Sequence, residues 1–325
     1  MSIISSSIDS SPLDSYPIRY QPVPLSLCHA FGIKLSILRL DAIHPQISGN
    51  KWFKLQPALA EARCHPGRPI LSFGGAFSNH IHALAYAGQQ SGIPTIGVIR
   101  GEGSAASNPT LQDAQRWGMR LIFVSRQDYA RRYDPAYIDT LHQTLGDFQW
   151  VPEGGSSAAA VHACGAIWDA LPALDTPLDY LACATGTGAT AAGLIAARPS
   201  CVNMLVVPAL KISVAEVESM LQAHWSAAGL TTPAGYQVLP GYLPYARLSP
   251  ELAALWWQLS SCYGIDLDPV YTLRVFHQLT RMIMQRQFRP GSHVALLHTG
   301  GMQGLRGHAD RLRRLAPAFY GPLPL

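Results

Sequence analysis

Pro69-Ile70-Leu71-Ser72-Phe73-Gly74-Gly75-Ala76-Phe77-Ser78-Asn79-His80 is the stretch on which the reading of the fold turns. A short, mostly apolar run suited to a buried strand meets a glycine pair, and Ser78-Asn79 then opens a helical pattern that lasts to about residue 91. The same succession follows at once. Pro94 to Ile99 reads as a strand, Pro109 to Gly118 as a helix and Leu121 to Ser125 as another strand. Strands joined by helical crossovers lie parallel, so this segment is a self-contained βαβ series.

Toward the C-terminus the pattern predicts a helix near 135–145 and a strand near 148–151. Glu153-Gly154-Gly155-Ser156-Ser157 then caps a helix expected to reach about Leu171. Alternation restarts with Leu178 to Ala184 and continues through strands at Val202 to Val207, Gln237 to Leu239 and His293 to His298. Toward the N-terminus a strand near Ile37 to Leu40 precedes a helix opened by Gly49-Asn50. The chain therefore reads as two α/β lobes, a smaller one of residues 60–160 inserted into a larger one made of 1–59 and 161–325.

Composition is consistent with a folded enzyme. The 325 residues are 48% hydrophobic and 14% charged, which argues against disorder away from the ends. The net charge of +4 is dispersed, and the tight basic groups, such as Arg131-Arg132 and Arg311 to Arg314, are too short to argue for nucleic acid. Residues 1–15 are serine-rich and lack the basic and apolar regions of a signal peptide, and no apolar run is long enough to cross a bilayer. Cys28, Cys64, Cys164, Cys183, Cys201 and Cys262 are scattered without CxxC or metal spacing, the mark of free, buried thiols in a reducing compartment. The expectation is a cytoplasmic protein without a metal. His80 and His82, with His65, could be imagined as ligands, but positions i and i+2 diverge on a helix.

In open parallel sheets ligands collect at the carboxyl ends of strands, so the strand-to-helix turns carry the chemistry. Ser78 and Asn79 follow Gly74-Gly75 at a helix N-terminus, where free N–H groups bind carboxylates; a plain N-cap serine is the alternative. Thr185-Gly186-Thr187-Gly188-Ala189-Thr190 follows a strand and opens a helix of small residues, a nest of donors suited to a phosphate. Gly186, Gly188 and Ala191 also satisfy GxGxxA, which raises a nicotinamide oxidoreductase. That fingerprint needs an acidic residue at the end of the next strand, and none stands before Glu216. A monophosphate fits better than a dinucleotide. His298-Thr299-Gly300-Gly301 brings another hydroxyl to a strand end, and Asp268-Pro269-Val270-Tyr271-Thr272 adds a phenol that is either core filler or a proton carrier.

Ser48-Gly49-Asn50-Lys51-Trp52-Phe53-Lys54-Leu55 places two ammonium groups three residues apart in the first turn of a helix, where the dipole disfavours cations. Burial and a like-charged neighbour both lower a lysine pKa, the usual way to obtain an amine that attacks a carbonyl. Two solvated lysines on an exposed face are the alternative.

A lysine helix, a carboxylate-type turn, a phosphate-type loop and hydroxyls at strand ends together describe a pyridoxal phosphate site. In the order Gly49-Asn50-Lys51 with Lys54, Gly74-Gly75 with Ser78-Asn79, Pro152 to Ser156, Thr185 to Gly188, Asp268 to Tyr271 and Thr299 to Gly301, the chain resembles the fold type II pyridoxal phosphate enzymes. These are the tryptophan-synthase-β-like group, and the nearest branch is that of D-cysteine desulfhydrase and 1-aminocyclopropane-1-carboxylate deaminase. The resemblance spans roughly residues 20–310. It implies two three-layer α/β lobes with mostly parallel sheets, a homodimer and a small amino-acid substrate.

By that resemblance Lys51 would carry the cofactor covalently and take the substrate's α-proton. Asn50, Lys54 and the loop Thr185, Gly186, Thr187, Gly188, Ala189, Thr190 would hold its phosphate, and Asn79 its ring hydroxyl. Ser78 would take the substrate carboxylate, with Tyr271 and Tyr242 beside the substrate. Deaminases of the branch carry Glu and Leu where this chain has Thr272 and Thr299, as the desulfhydrases do. A hydroxyl holds a pyridinium proton less well than a carboxylate, which suits β-elimination better than opening a cyclopropane. The implied reaction is D-cysteine to pyruvate, sulfide and ammonia, with 1-aminocyclopropane-1-carboxylate deamination, or a non-catalytic amino-acid-binding protein, as alternatives. Ala189, Leu273-Arg274, His80, His82 and the Leu-Pro-Tyr after Tyr242 depart from the family pattern on the substrate side, leaving a sulfonate or bulkier thiol substituent open.

Overall fold

The computed structural model describes residues 15–101, 103 and 108–318; the serine-rich stretch 1–14 lies outside them. In chain order the first half runs β1 (Arg19–Pro22), α1 (Ser26–Ala30), β2 (Lys34–Arg39), α2 (Asn50–Arg63), β3 (Ile70–Gly75), α3 (Asn79–Ser91), β4 (Thr95–Arg100), α4 (Pro109–Arg116), β5 (Arg120–Val124), α5 (Arg126–Ala130), α6 (Pro135–Leu145) and β6 (Gln149–Val151). The second half runs α7 (Ala158–Gly165), β7 (Tyr180–Thr185), α8 (Ala189–Ala196), β8 (Asn203–Pro208), α9 (Val214–Ala227), β9 (Tyr236–Val238), α10 (Pro250–Tyr263), α11 (Thr272–Met284), β10 (His293–Leu297) and α12 (Ala309–Leu315).

Two sheets result. The strands between residues 70 and 151 form a four-stranded parallel sheet, ordered β5-β4-β3-β6. Strands from both ends of the chain form a six-stranded sheet, ordered β1-β2-β10-β7-β8-β9, parallel except for the β1–β2 pair. The α/β class with mostly parallel sheets is therefore as the sequence implied. The antiparallel edge strand β1 carried no comparable pattern.

Period-2 alternation explains how the larger sheet is covered on both faces. Leu35 and Ile37, Ala182 and Ala184, Leu205 and Val207, and Val294 and Leu296 enter one core with α10 and α11. Their neighbours Leu38, Leu181, Cys183, Met204, Val206, Ala295 and Leu297 enter another with α8 and α9, closed by the fully buried Trp225. The smaller sheet repeats the scheme, with Ile70 and Ile99 facing α2 and α3 while Leu71, Phe73, Ile96 and Val98 face α6.

One helix is shorter than its sequence suggested. α7 ends at Gly165, not near Leu171, because Ile167, Trp168, Ala170 and Leu171 each donate to a carbonyl only three residues back, a string of tight turns ahead of Pro172. Among the described residues no helix is long and apolar enough to cross a membrane.

Candidate active site

The N-terminus of α2 is pinned to the turn after β10. Gly49 takes φ +69°, and a Cβ there would lie 2.0 Å from the Thr299 carbonyl oxygen, so only glycine permits the approach. The Asn50 N–H donates to the same carbonyl at 3.2 Å. Lys51 Nζ then donates to Asn50 Oδ1 at 3.0 Å, and Asn50 Nδ2 donates to Thr190 Oγ1 at 2.8 Å. One turn on, Lys54 is only 3% exposed, and its Nζ reaches Ser156 Oγ at 2.9 Å and Thr187 Oγ1 at 3.3 Å.

A pair of solvated lysines is thus not what the fold makes of this segment. Burial lowers Lys51 to about 8, against a partial upward pull from Cys164 and Asp268. Burial, with Lys51 as a like-charged neighbour, lowers Lys54 to about 7.

The loop after β7 faces these amines. Gly188 takes φ +88° as the cap of α8, and a Cβ there would meet the His224 ring at 2.7 Å. His224 Nε2 bonds the Thr187 carbonyl oxygen at 2.6 Å, fixing the loop from behind. Thr187 Oγ1 and Ser156 Oγ share a hydrogen bond at 2.5 Å beside Lys54. Ala189 and Thr190 are buried in the first turn of α8, and Gly186 lies under the Tyr271 ring, 3.2 Å from where its Cβ would be. Among the described residues the buried Thr185 hydroxyl has no hydrogen-bond partner. An orphaned hydroxyl, a helix N-terminus and the Lys54 amine at a glycine loop, with the Lys51 amine held nearby by Asn50, make a donor set suited to a phosphate monoester.

The turn after β3 supplies the opposite wall. Ser78 caps α3, accepting the Ile81 N–H at 3.3 Å, so the capping reading of this serine is realised. Asn79 Oδ1 accepts from Gln303 Nε2 at 2.6 Å, while its Nδ2 borders Gly301, as does Asp268 Oδ2. Asp268 accepts the N–H groups of Tyr271 and Thr272 at 2.5 and 3.2 Å, and burial pushes it up to about 7.

Tyr271 is half-buried, its hydroxyl 3.3 Å from that of Tyr245. Tyr242 is directed elsewhere: its hydroxyl bonds His277 Nδ1 at 2.7 Å, and His277 Nε2 in turn meets Glu251 Oε1 at 2.8 Å. Thr272 is fully buried with its hydroxyl donated to the Asp268 carbonyl at 3.2 Å, a backbone contact that uses its one donor. Thr299 is half-buried, and it is its carbonyl that holds α2.

Ser156, Gln303, His224, Asp268 and Tyr245 join the site without having been assigned a place in it. Ser156 and Asp268 stood in quoted motifs; Gln303 and His224 are brought in by tertiary packing alone. His80 and His82 are buried and separate, His80 Nε2 on Ser72 Oγ at 2.8 Å and His82 facing Asp113 and Trp117. Among the described residues no cluster of His, Cys, Asp or Glu could hold a metal ion. Cys28, Cys164 and Cys183 are buried, but Cys64, Cys201 and Cys262 are exposed; all six are free. Burial pushes Cys183 up to about 12, which leaves it an inert strand thiol. Trp256 is buried, whereas Trp257 is 51% exposed.

The family model described as pyridoxal-phosphate dependent enzyme matches residues 18–300. The chain belongs to this family of pyridoxal-phosphate-dependent enzymes. That membership sets aside the nicotinamide and non-catalytic readings.

Among its relatives is a protein of Thermotoga maritima named as a candidate 1-aminocyclopropane-1-carboxylate deaminase, 27% identical over 90% of this chain and 97% of its own. The D-cysteine desulfhydrase of Salmonella choleraesuis is 26% identical over 89% of this chain and 92% of its own. A solved structure of an ACC deaminase homologue superposes with a TM-score of 0.78 at 22% identity, over 93% of this chain and 95% of that one. The fold of this enzyme is therefore that of the fold type II group, which also includes a threonine deaminase of Solanum lycopersicum at a TM-score of 0.63, 13% identity, and 94% and 84% coverage.

Proposed function

We propose that this enzyme removes the β-substituent of a small amino acid, with D-cysteine giving pyruvate, hydrogen sulfide and ammonia. The observation that carries the reading is the Lys51–Lys54 pair: one amine lowered to about 8 and held at Asn50, the other lowered to about 7 and held at Ser156 and Thr187. Pyridoxal phosphate, when bound, supplies the electron withdrawal that makes the substrate's Cα–H acidic.

The chain's own residues do the rest. Lys54, Asn50, Thr185, Thr187, Thr190 and the N–H groups from Gly186 to Ala189 hold the phosphate; Lys51 is the attachment point and Asn79 Nδ2 the donor to the ring hydroxyl. Ser78 and the N-terminus of α3 orient the substrate carboxylate. Lys51 Nζ, whose proton is held less tightly because burial lowers it to about 8, accepts the α-proton once released in its neutral form. The Cβ–S bond breaks with its electron pair leaving on sulfur, and Tyr271 with Tyr245 stands where a proton can be supplied. The released enamine takes up water to give pyruvate and ammonia.

Thr272 and Thr299, as in the desulfhydrases and in place of the deaminases' Glu and Leu, support elimination over ring opening. The relative named as a deaminase keeps 1-aminocyclopropane-1-carboxylate as the second substrate to try. The reading includes a homodimer, which rests on the family resemblance.

The test is an absorption spectrum of the reconstituted protein, repeated with D-cysteine while pyruvate and sulfide are assayed. Absorption at the visible edge that changes with D-cysteine and yields both products is expected, and Lys51→Ala should lose the absorption and at least about 10³-fold in rate. Normal turnover by Lys51→Ala would sink the assignment. 1-Aminocyclopropane-1-carboxylate keeps its four carbons on ring opening and deamination and so gives 2-oxobutyrate, not pyruvate; 2-oxobutyrate from that substrate, with no product from D-cysteine, would move the assignment to the deaminase.

A further inference from the structure

Beside the cleft lies a pocket of about 450 Å³ lined by Arg100, Arg126, Tyr129, Ala130, Arg132 and Glu153. Its one carboxylate is already used. Glu153 accepts from the Tyr129 hydroxyl at 2.5 Å and from Arg132 Nε at 2.7 Å. Arg132 is further tied to the Tyr129 carbonyl at 3.2 Å. Arg100 and Arg132 sit over the Tyr129 ring at 5.4 and 5.0 Å, which holds two like charges together through one aromatic surface. Among the described residues neither Arg100 nor Arg126 has a carboxylate partner, so the pocket carries two uncompensated guanidinium groups.

The position of the pocket gives this charge a use. Arg100 ends β4, and its Nη2 lies 3.7 Å from where a Cβ on Gly75 would stand, at the start of the turn that carries Ser78 and Asn79. Glu153 opens the Glu153–Gly155 turn that leads to Ser156, the partner of Lys54. The charges of Arg100 and Glu153 also act on the Tyr245 phenol, which bonds Tyr271 in the cleft.

We propose that Arg100, Arg126 and Arg132 form a subsite at the mouth of the cleft for a second anionic group at the far end of the substrate's β-substituent. This rests on the elimination reading and extends its substrate class beyond D-cysteine to amino acids whose leaving group bears a carboxylate, sulfonate or phosphate, which the subsite favours. Guanidinium forks match such planar or tetrahedral oxyanions through paired N–H donors. Arg132, anchored on Glu153, fixes the depth of the subsite, while Arg100 and Arg126 supply the unpaired charge. The reaction keeps its balance: the α-proton goes to Lys51, the Cβ–S bond breaks, and the thiol leaves carrying the distal anion.

Two substrates of one configuration test the subsite in the holoenzyme. S-methyl-D-cysteine and S-carboxymethyl-D-cysteine differ in the tail and release thiols of similar basicity. The carboxymethyl substrate should show a kcat/KM at least tenfold higher, and Arg100→Gln or Arg126→Gln should collapse that ratio. Arg116→Gln, which removes a charge outside the pocket, should leave the ratio in place. Inorganic phosphate should raise KM for the carboxymethyl substrate. Equal kcat/KM values, or a ratio untouched by the pocket variants, would overturn the proposal. So would phosphate changing kcat on both substrates without competing, since that marks a free-anion effector site. If neither substrate nor D-cysteine yields pyruvate, the elimination reading itself has failed. Calorimetric titration of phosphate then reads the pocket without turnover: binding lost in Arg100→Gln retains an anion site, and no binding by the unaltered protein removes it.

Discussion

Lys54 shows how far a single position is shaped by its surroundings. Its ammonium lies among Ser156, Thr187 and Lys51, and it titrates near 7 where an unburied lysine titrates near 10.5. Between those values the unfolded chain binds more protons than the folded one, so folding stability rises with pH across that window; below about 7 both states are charged and the slope vanishes. Lys51 adds the same sign from about 8 upward. Cofactor-free protein is expected to show a steeper rise of unfolding free energy from pH 7 to pH 10 than Lys54→Met, measured by urea titration. Identical slopes would show that the Lys54 ammonium is not buried as described.

Much at this scale was legible in the sequence because it is local: Asn50, Lys51 and Lys54 share one helical turn, and Thr185 to Thr190 one loop. The direction of Tyr242 was not legible, for the opposite reason. Its hydroxyl goes to His277, 35 residues away, while Tyr245, three residues on, meets Tyr271 instead.

At the scale of elements, α11 illustrates a departure that acquires a structural role. Arg274, 1% exposed, donates to the carbonyls of Ala209, Leu243, Pro244 and Arg247 at 2.9–3.0 Å. It straps the segment bearing Tyr242 and Tyr245 to the helix that starts after Tyr271, and so serves the substrate side from behind it. Leu273 beside it lies wholly in the core.

Arg274→Met would leave four acceptors to find other donors. Pro244 and Arg247 are exposed enough for water to reach, so the expected loss is about 3 kcal/mol and not the full sum for buried carbonyls. Denaturant unfolding measures that loss, and a rise in KM for D-cysteine should accompany it; a variant with unchanged stability and KM would contradict the clamp. The strands were readable because buried parallel strands are short continuous apolar runs between turn residues. The end of α7 was not, since Ala166-Ile167-Trp168 continues an apolar pattern whether the backbone closes α-turns or tighter ones.

For the whole molecule, both faces of both sheets are covered, and assembly becomes a question of what surface remains. Trp257, 51% exposed beside the buried Trp256, is one large apolar side chain left at the surface. Sedimentation at micromolar concentration is expected to give twice the 35.2 kDa of one chain, and a mass of one chain would remove the homodimer from the proposal. The two-sheet arrangement was legible from the restart of alternation after residue 171. The antiparallel β1 was not, because four residues, Arg19–Pro22, carry too little pattern to announce a strand.

The order of the larger sheet also bears on how the protein is made. β10, among the described residues the last strand to leave a ribosome, sits between β2 and β7. The four-stranded sheet can close as soon as residue 151 has emerged, but β2, which ends at Arg39, waits for β10, which begins only at His293. Until then β2 and β7 each present an unpaired edge to the cell. Translation that stalls before His293 releases a chain with one finished sheet and one split in two, a form suited to chaperones and proteases and not to catalysis.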